Sequence, residues 1–117
     1  MSTVEIGRLG EELAEKFLNS KGVQITARNV RYKKFEIDLI SETTEEVIVY
    51  EVKLRHTRKL GEPWRAVTRT KQRQIITVAD HFQKQRNSIK NVRFDIISII
   101  HNEFETDIEH IQYAFAP

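Results

Sequence analysis

Apolar residues recur at helical spacing near the start of the chain. Ile6, Leu9, Gly10, Leu13, Ala14 and Phe17 form one face, which predicts an amphipathic helix over residues 4–21. Ser2 or Thr3 can cap its start, and Gly22 is a stop signal. The period then shortens to two. Val23–Val30 predicts a short strand, followed by the basic turn Arg31–Lys34. Phe35–Ile40 and Val47–Lys53 predict two further strands, joined by the polar stretch Ser41–Glu46 as a hairpin. Leu54–Arg65, broken by Gly61 and Pro63, reads as a loop. Ile75, Val78, Ala79 and Phe82 mark the inward stripe of a second helix, from near Thr68 to about Arg86. Val92–Ile100 is apolar enough to be buried on both faces, and Ile108–Phe115 predicts a last strand. The order αβββαββ predicts an α/β protein with a mixed central sheet flanked by helices.

Two of these strands carry charge where a buried strand should not. Residues i and i+2 of a strand share a face, so Glu36 should lie beside Asp38, and Glu51 beside Lys53. If the strands pair, three carboxylates and an ammonium gather on one patch of sheet. Burying them is unfavourable unless they pair with one another or bind a metal. A cross-strand salt bridge from Lys53 to Asp38 or Glu36 is the simpler outcome, contributing roughly 0.2–1 kcal/mol. The other is a site. Two carboxylates on neighbouring strands can seat a hard cation such as Mg²⁺, which keeps several waters and takes oxygen ligands. Lys53 is placed to stabilise charge growing on a phosphoryl group or to orient a water.

Composition narrows the choice. The chain has 117 residues, enough for one domain over 1–117 and too few for two. No apolar run approaches the roughly 20 residues of a membrane span. Met1–Glu5 lacks the basic and apolar regions of a secretory signal, so a cytoplasmic protein is expected. Cysteine is absent, which removes thiolate metal sites. His56, His81, His101 and His110 are scattered without the spacing of a zinc site. The net charge of +2 is unevenly spread. Residues 53–93 hold twelve Lys/Arg against two acids, whereas 94–117 hold five acids and no Lys/Arg. A basic middle beside acidic strands suits a polyanion such as nucleic acid, or a solvated basic helix. Arg69, Lys71 and Arg73 crowd the start of the second helix, where the dipole disfavours cations and attracts phosphate. Lys71 falls in line with Ile75, Val78 and Phe82, so it is expected to point towards the sheet. Trp64, beside Pro63, reads as a packing residue closing the loop rather than a base-stacking platform, and Arg93 with Asp95 as an ion pair.

Several blocks in order then match a known family. They are Gly7-Arg8-x-Gly10-Glu11-x-x-Ala14, Ala27-Arg28-Asn29, Glu36-Ile37-Asp38-Leu39-Ile40, Glu51-Val52-Lys53-x-Arg55, Ala66-Val67 with Lys71, Arg93-Phe94-Asp95 and Ala114-Phe115. In these the chain resembles the YraN-like family of small bacterial proteins, over nearly its whole length. The resemblance implies a restriction-endonuclease-like fold of the PD-(D/E)XK superfamily, with an αβββαβ core plus a C-terminal strand. It further implies that Asp38 and Glu51 are metal-binding carboxylates and Lys53 the catalytic lysine. Glu11 becomes a supporting acid and metal ligand, as in related Holliday-junction resolvases. Glu36 becomes either a neighbour supporting the metal aspartate or an ion-pair partner for Lys53 or Arg55. Phe35 replaces a common glycine of the family and Leu54 a small polar residue, which bears on substrate geometry more than on chemistry.

The reading that follows is a Mg²⁺-dependent nuclease, with Mn²⁺ as a substitute. It hydrolyses phosphodiester bonds of DNA, with structured or branched DNA as a candidate substrate and a homodimer as a plausible assembly. Arg55, Arg58, Lys59, Arg69, Lys71 and Arg73 are the expected contacts to the backbone. Such contacts position a duplex without reading its sequence. The alternative is a non-catalytic nucleic-acid-binding module that keeps the nuclease fold.

Overall fold

In a computed structural model describing residues 1–117, the predicted elements appear in the predicted order. They are α1 (Thr3–Ser20), β1 (Ile25–Tyr32), β2 (Phe35–Glu42), β3 (Glu46–Arg55), α2 (Arg69–Gln85), β4 (Asn91–His101) and β5 (Thr106–Phe115). A short 3₁₀ helix, Pro63–Ala66, interrupts the loop before α2.

Local chemistry explains the helix ends. The Ser2 hydroxyl accepts from the Glu5 amide while Glu5 accepts from the Ser2 amide, a reciprocal cap on α1. At the other end Gly22, at φ +84°, lets the Val23 amide reach the Leu18 carbonyl and its own amide reach that of Asn19. Thr68 caps α2 by accepting from the Lys71 amide.

The five strands form one mixed sheet in the order β1-β2-β3-β4-β5. β1, β2 and β3 form an antiparallel meander, β3 and β4 run parallel, and β5 returns antiparallel to β4. The connection through α2 supplies the crossover that parallel pairing requires. The helices cover opposite faces. Ala14 and Leu18 of α1 pack with Leu39, Ile48, Tyr50, Ile97 and Ile99. Ile75, Val78 and Ala79 of α2 pack with Ile37, Ile40, Val49, Phe94 and Ile96.

Strand alternation holds along β3 and fails in β2 and β1. Ile37 lies on the α2 face and Leu39 on the α1 face, so the pattern slips by one residue at Asp38. In β1, Ala27 and Val30 lie on the same face although they are three apart. The irregular residue there is Asn29, whose φ of +50° lies in the left-handed region that Asn tolerates better than most residues. Asn29 and Asp38 stand opposite each other, between the pairs Arg28↔Leu39 and Val30↔Ile37. The regular alternation from which Glu36 and Asp38 are expected to share a face therefore breaks at Asp38, although both acids still act on Glu11 of α1.

Candidate active site

The site forms where β2 and β3 separate. Their ladder runs from Glu42↔Val47 to Leu39↔Tyr50 and stops there. At the next position Asp38 Oδ2 accepts from the Val52 amide at 2.8 Å, so a side chain takes the place of a ladder carbonyl. Regular alternation along β3 places Glu51 and Lys53 on the α2 face. Glu51 is only 3% exposed. Its Oε2 lies 4.0 Å from Lys53 Nζ and 3.8 Å from Lys71 Nζ. Its Oε1 is buried and has no hydrogen-bond partner. Lys71 therefore points towards the sheet, as its place in the apolar stripe predicts. The amino-terminal turn of α2 contains no acid to neutralise it.

Asp38 and Glu51 influence each other. Burial pushes the Asp38 carboxyl well above the usual aspartate range. The charge and close approach of the Glu51 carboxylate push it further. The Val52 amide and Lys71 oppose the shift without cancelling it.

On the α1 side of the same fork lies Glu11. It accepts from Asn29 Nδ2 at 2.7 Å. Burial raises its pKa, against the pull of that hydrogen bond, and Asp38 and Glu36 add smaller upward pushes. Glu36 pairs with Arg31 at 3.7 Å rather than with Lys53 or Arg55. Asp38 thus connects two polar groups: Glu51 with Lys53 and Lys71 on one face, Glu11 with the Asn29 amide on the other.

No three acids or histidines converge on one point. The donor set is a pair of carboxylates, with one buried oxygen lacking a partner. Such an all-oxygen pair fits a hard divalent cation that keeps waters and shares a substrate oxygen, and it offers nothing to a thiophilic metal.

The expected backbone contacts have different surroundings. Arg55, Lys59, Arg69 and Arg73 are exposed. Arg58 is turned onto Glu62, Glu105 and Asp107, so its charge is neutralised locally. Arg93 makes the expected ion pair with Asp95, at 2.9 and 3.0 Å. Sequence reasoning gave Asn29 no role beyond membership of a block. Nothing in the strand pattern reveals that its side chain reaches back to α1.

Fold and site together define the class: an α/β protein with a restriction-endonuclease-like core and an acidic pair at the fork between two strands. The chain belongs to the uncharacterised protein family UPF0102, the YraN family, whose model matches residues 10–99. It is 40% identical to the UPF0102 protein of Christiangramia forsetii over 111 residues, covering 95% of this chain and 93% of the relative. The UPF0102 protein of Phocaeicola vulgatus is 41% identical over 113 residues, with 97% and 93% covered. That of Caldicellulosiruptor saccharolyticus is 40% identical over 120 residues, with 98% and 100% covered.

Proposed function

We propose that this protein is a divalent-metal-dependent phosphodiesterase acting on DNA. The observation carrying the reading is buried Glu51. It has one oxygen without a partner, Asp38 beside it, and two lysines within 4.0 Å of its other oxygen. A buried acid this incompletely satisfied is unfavourable in a purely structural role.

Asp38 and Glu51 would hold the cation. When bound it polarises a phosphoryl oxygen and lowers the pKa of a bound water. The protein's own groups supply the rest. The Val52 amide fixes Asp38, leaving its other oxygen available. Lys53 faces the charge that grows on phosphorus, and Lys71 with the amino terminus of α2 holds a phosphate oxygen. Glu11, steadied by Asn29, accepts a hydrogen bond from a water at the edge of the fork.

A binding-only reading has one observation in its favour, the absence of a third converging acid. Incubation with duplex, single-stranded, flap and four-way-junction DNA separates the two. Cleavage requiring Mg²⁺ or Mn²⁺, and abolished in Glu51→Gln and Asp38→Asn, supports catalysis. Salt-sensitive binding with no cleavage at any metal concentration supports the module.

A further inference from the structure

On the α2 face, beside the fork, lies a cavity of about 660 Å³ that the proposed chemistry does not use. It falls within the size range of small-molecule pockets. Trp64, Arg65, Gln72, Ile96, Glu109 and Ala114 are among the residues on its walls. Trp64 is no closed packing residue: it is 37% exposed and borders this space. Its backbone is fixed, because the Trp64 amide donates to Ser98 Oγ at 3.0 Å. The Arg65 guanidinium lies over its ring, 5.4 Å from the centroid.

Register places this cavity relative to the acids. Glu51 pairs with Ile96, which pairs with Ile111; Lys53 pairs with Ser98, which pairs with Glu109. The cavity walls at Ile96 and Glu109 are thus one and two strand spacings from Glu51 and Lys53 respectively, about 5–10 Å across the sheet. Gln72 is shared with a second cavity edged by Arg69 and Arg73, neither of which has an acidic partner.

We infer that this cavity receives one unpaired nucleobase of the DNA whose phosphate lies at the fork; the inference rests on the proposed function. The walls are wrong for a phosphate, since Glu109 would repel it. They suit a base: an aromatic side chain to stack on, apolar Ile96 and Ala114 beneath, and polar groups for the base edge. Glu109 accepts hydrogen bonds only, so it favours bases with an exocyclic amino group (adenine, cytosine or guanine) over thymine, whose only edge donor is its imide N–H. Cations around the mouth take the adjoining backbone.

Trp64 is the only tryptophan, so its emission reports on the cavity directly. The test uses the full chain in EDTA, where cleavage cannot occur. Three short duplexes are compared: one with a bulged adenine, one with a bulged thymine and one with an abasic bulge. The bulged adenine should quench Trp64 and bind about tenfold more tightly than the abasic bulge, with thymine between them. Ala114→Phe, which fills the cavity, should remove that preference while leaving binding of the abasic duplex unchanged. Equal quenching and equal affinity for all three duplexes in wild type overturns the base pocket and leaves DNA binding standing. No binding to any of them at low salt overturns both. The wild-type comparison decides the matter even if Ala114→Phe does not fold.

Discussion

Asn29 and Asp38 illustrate how single residues set the site. Asn29 adopts a left-handed backbone opposite Asp38 and donates to Glu11. Asn29→Asp keeps the shape and the tolerance for that backbone but cannot donate to a carboxylate. If Glu11 supports the metal pair, the variant should fold normally yet need about tenfold more Mn²⁺ for the same rise in thermal stability. An unchanged titration would make the Asn29–Glu11 contact purely structural. Asp95 supplies a contrasting acid on the other face. It is completely buried, and burial alone would raise its pKa. Hydrogen bonds from His110, Arg93 and the Tyr113 amide outweigh that and hold it below the ordinary value of 3.8. A carboxyl depressed on folding stabilises the protein above its unfolded pKa, and that contribution disappears as pH falls through the folded value. Asp95→Asn should therefore lower stability at pH 7 by roughly 1.5–3 kcal/mol. The deficit should narrow below about pH 4, which urea titrations across pH would detect. Asp38, Glu51 and Lys53 were legible in the sequence because charge on a buried strand is conspicuous. Asn29 was not, because a polar residue on an edge strand carries no signal of a contact eighteen residues away.

Among elements, α1 shows most clearly how packing serves the site. Gly10 is buried where the helix meets β3, and a Cβ built there would stand 3.4 Å from Leu54 Cβ and 3.5 Å from Val52 Cγ1. Those are ordinary contacts, so Gly10→Ala should be accepted and should gain up to about 1 kcal/mol of helix propensity. Gly10→Leu has no such room. It should destabilise by about 1–3 kcal/mol and lift Glu11, its neighbour in sequence, away from Asn29. Thermal unfolding of the two variants checks the ranking; equal stabilities would show that α1 does not seat against β3 as described. The same balance of pattern and context decided which elements could be read in advance. Both helices were legible to within a residue or two because their stripes and caps agree. β3 and β4 run a little further than their apolar cores because their ends are stitched together by polar contacts. His56 Nδ1 meets the His101 carbonyl, and Asn102 Nδ2 donates to the His56 carbonyl. Hydropathy cannot report such contacts. The 3₁₀ helix was hidden for a similar reason, since Pro63 reads equally well as a breaker and as a first helical residue.

At the scale of the whole molecule, the uneven charge becomes a surface with a direction. The longest dimension is 45 Å, about thirteen base pairs at 3.4 Å each. No helix is long and apolar enough to cross a membrane. The basic middle of the sequence divides in three dimensions. Arg58 and Arg93 are neutralised by acids from the C-terminal segment, whereas Arg69 and Arg73 on α2 have no acidic partner. If α2 presents those two cations to phosphates, each should release about one counterion on binding. Removing both, as Arg69→Ala with Arg73→Ala, should make the slope of log K against log salt shallower by about 1.8 for a paired duplex of that length. Affinity should fall alike for every sequence, because phosphate contacts do not read bases. Arg58→Ala should behave oppositely. It should leave the salt slope unchanged and loosen the loop it ties to the β4–β5 turn, a loss visible as faster proteolysis around Lys59. Fluorescence anisotropy across a salt series measures both slopes. If the double variant retains the wild-type slope, α2 does not face the backbone, and the duplex must approach from another side of the fork.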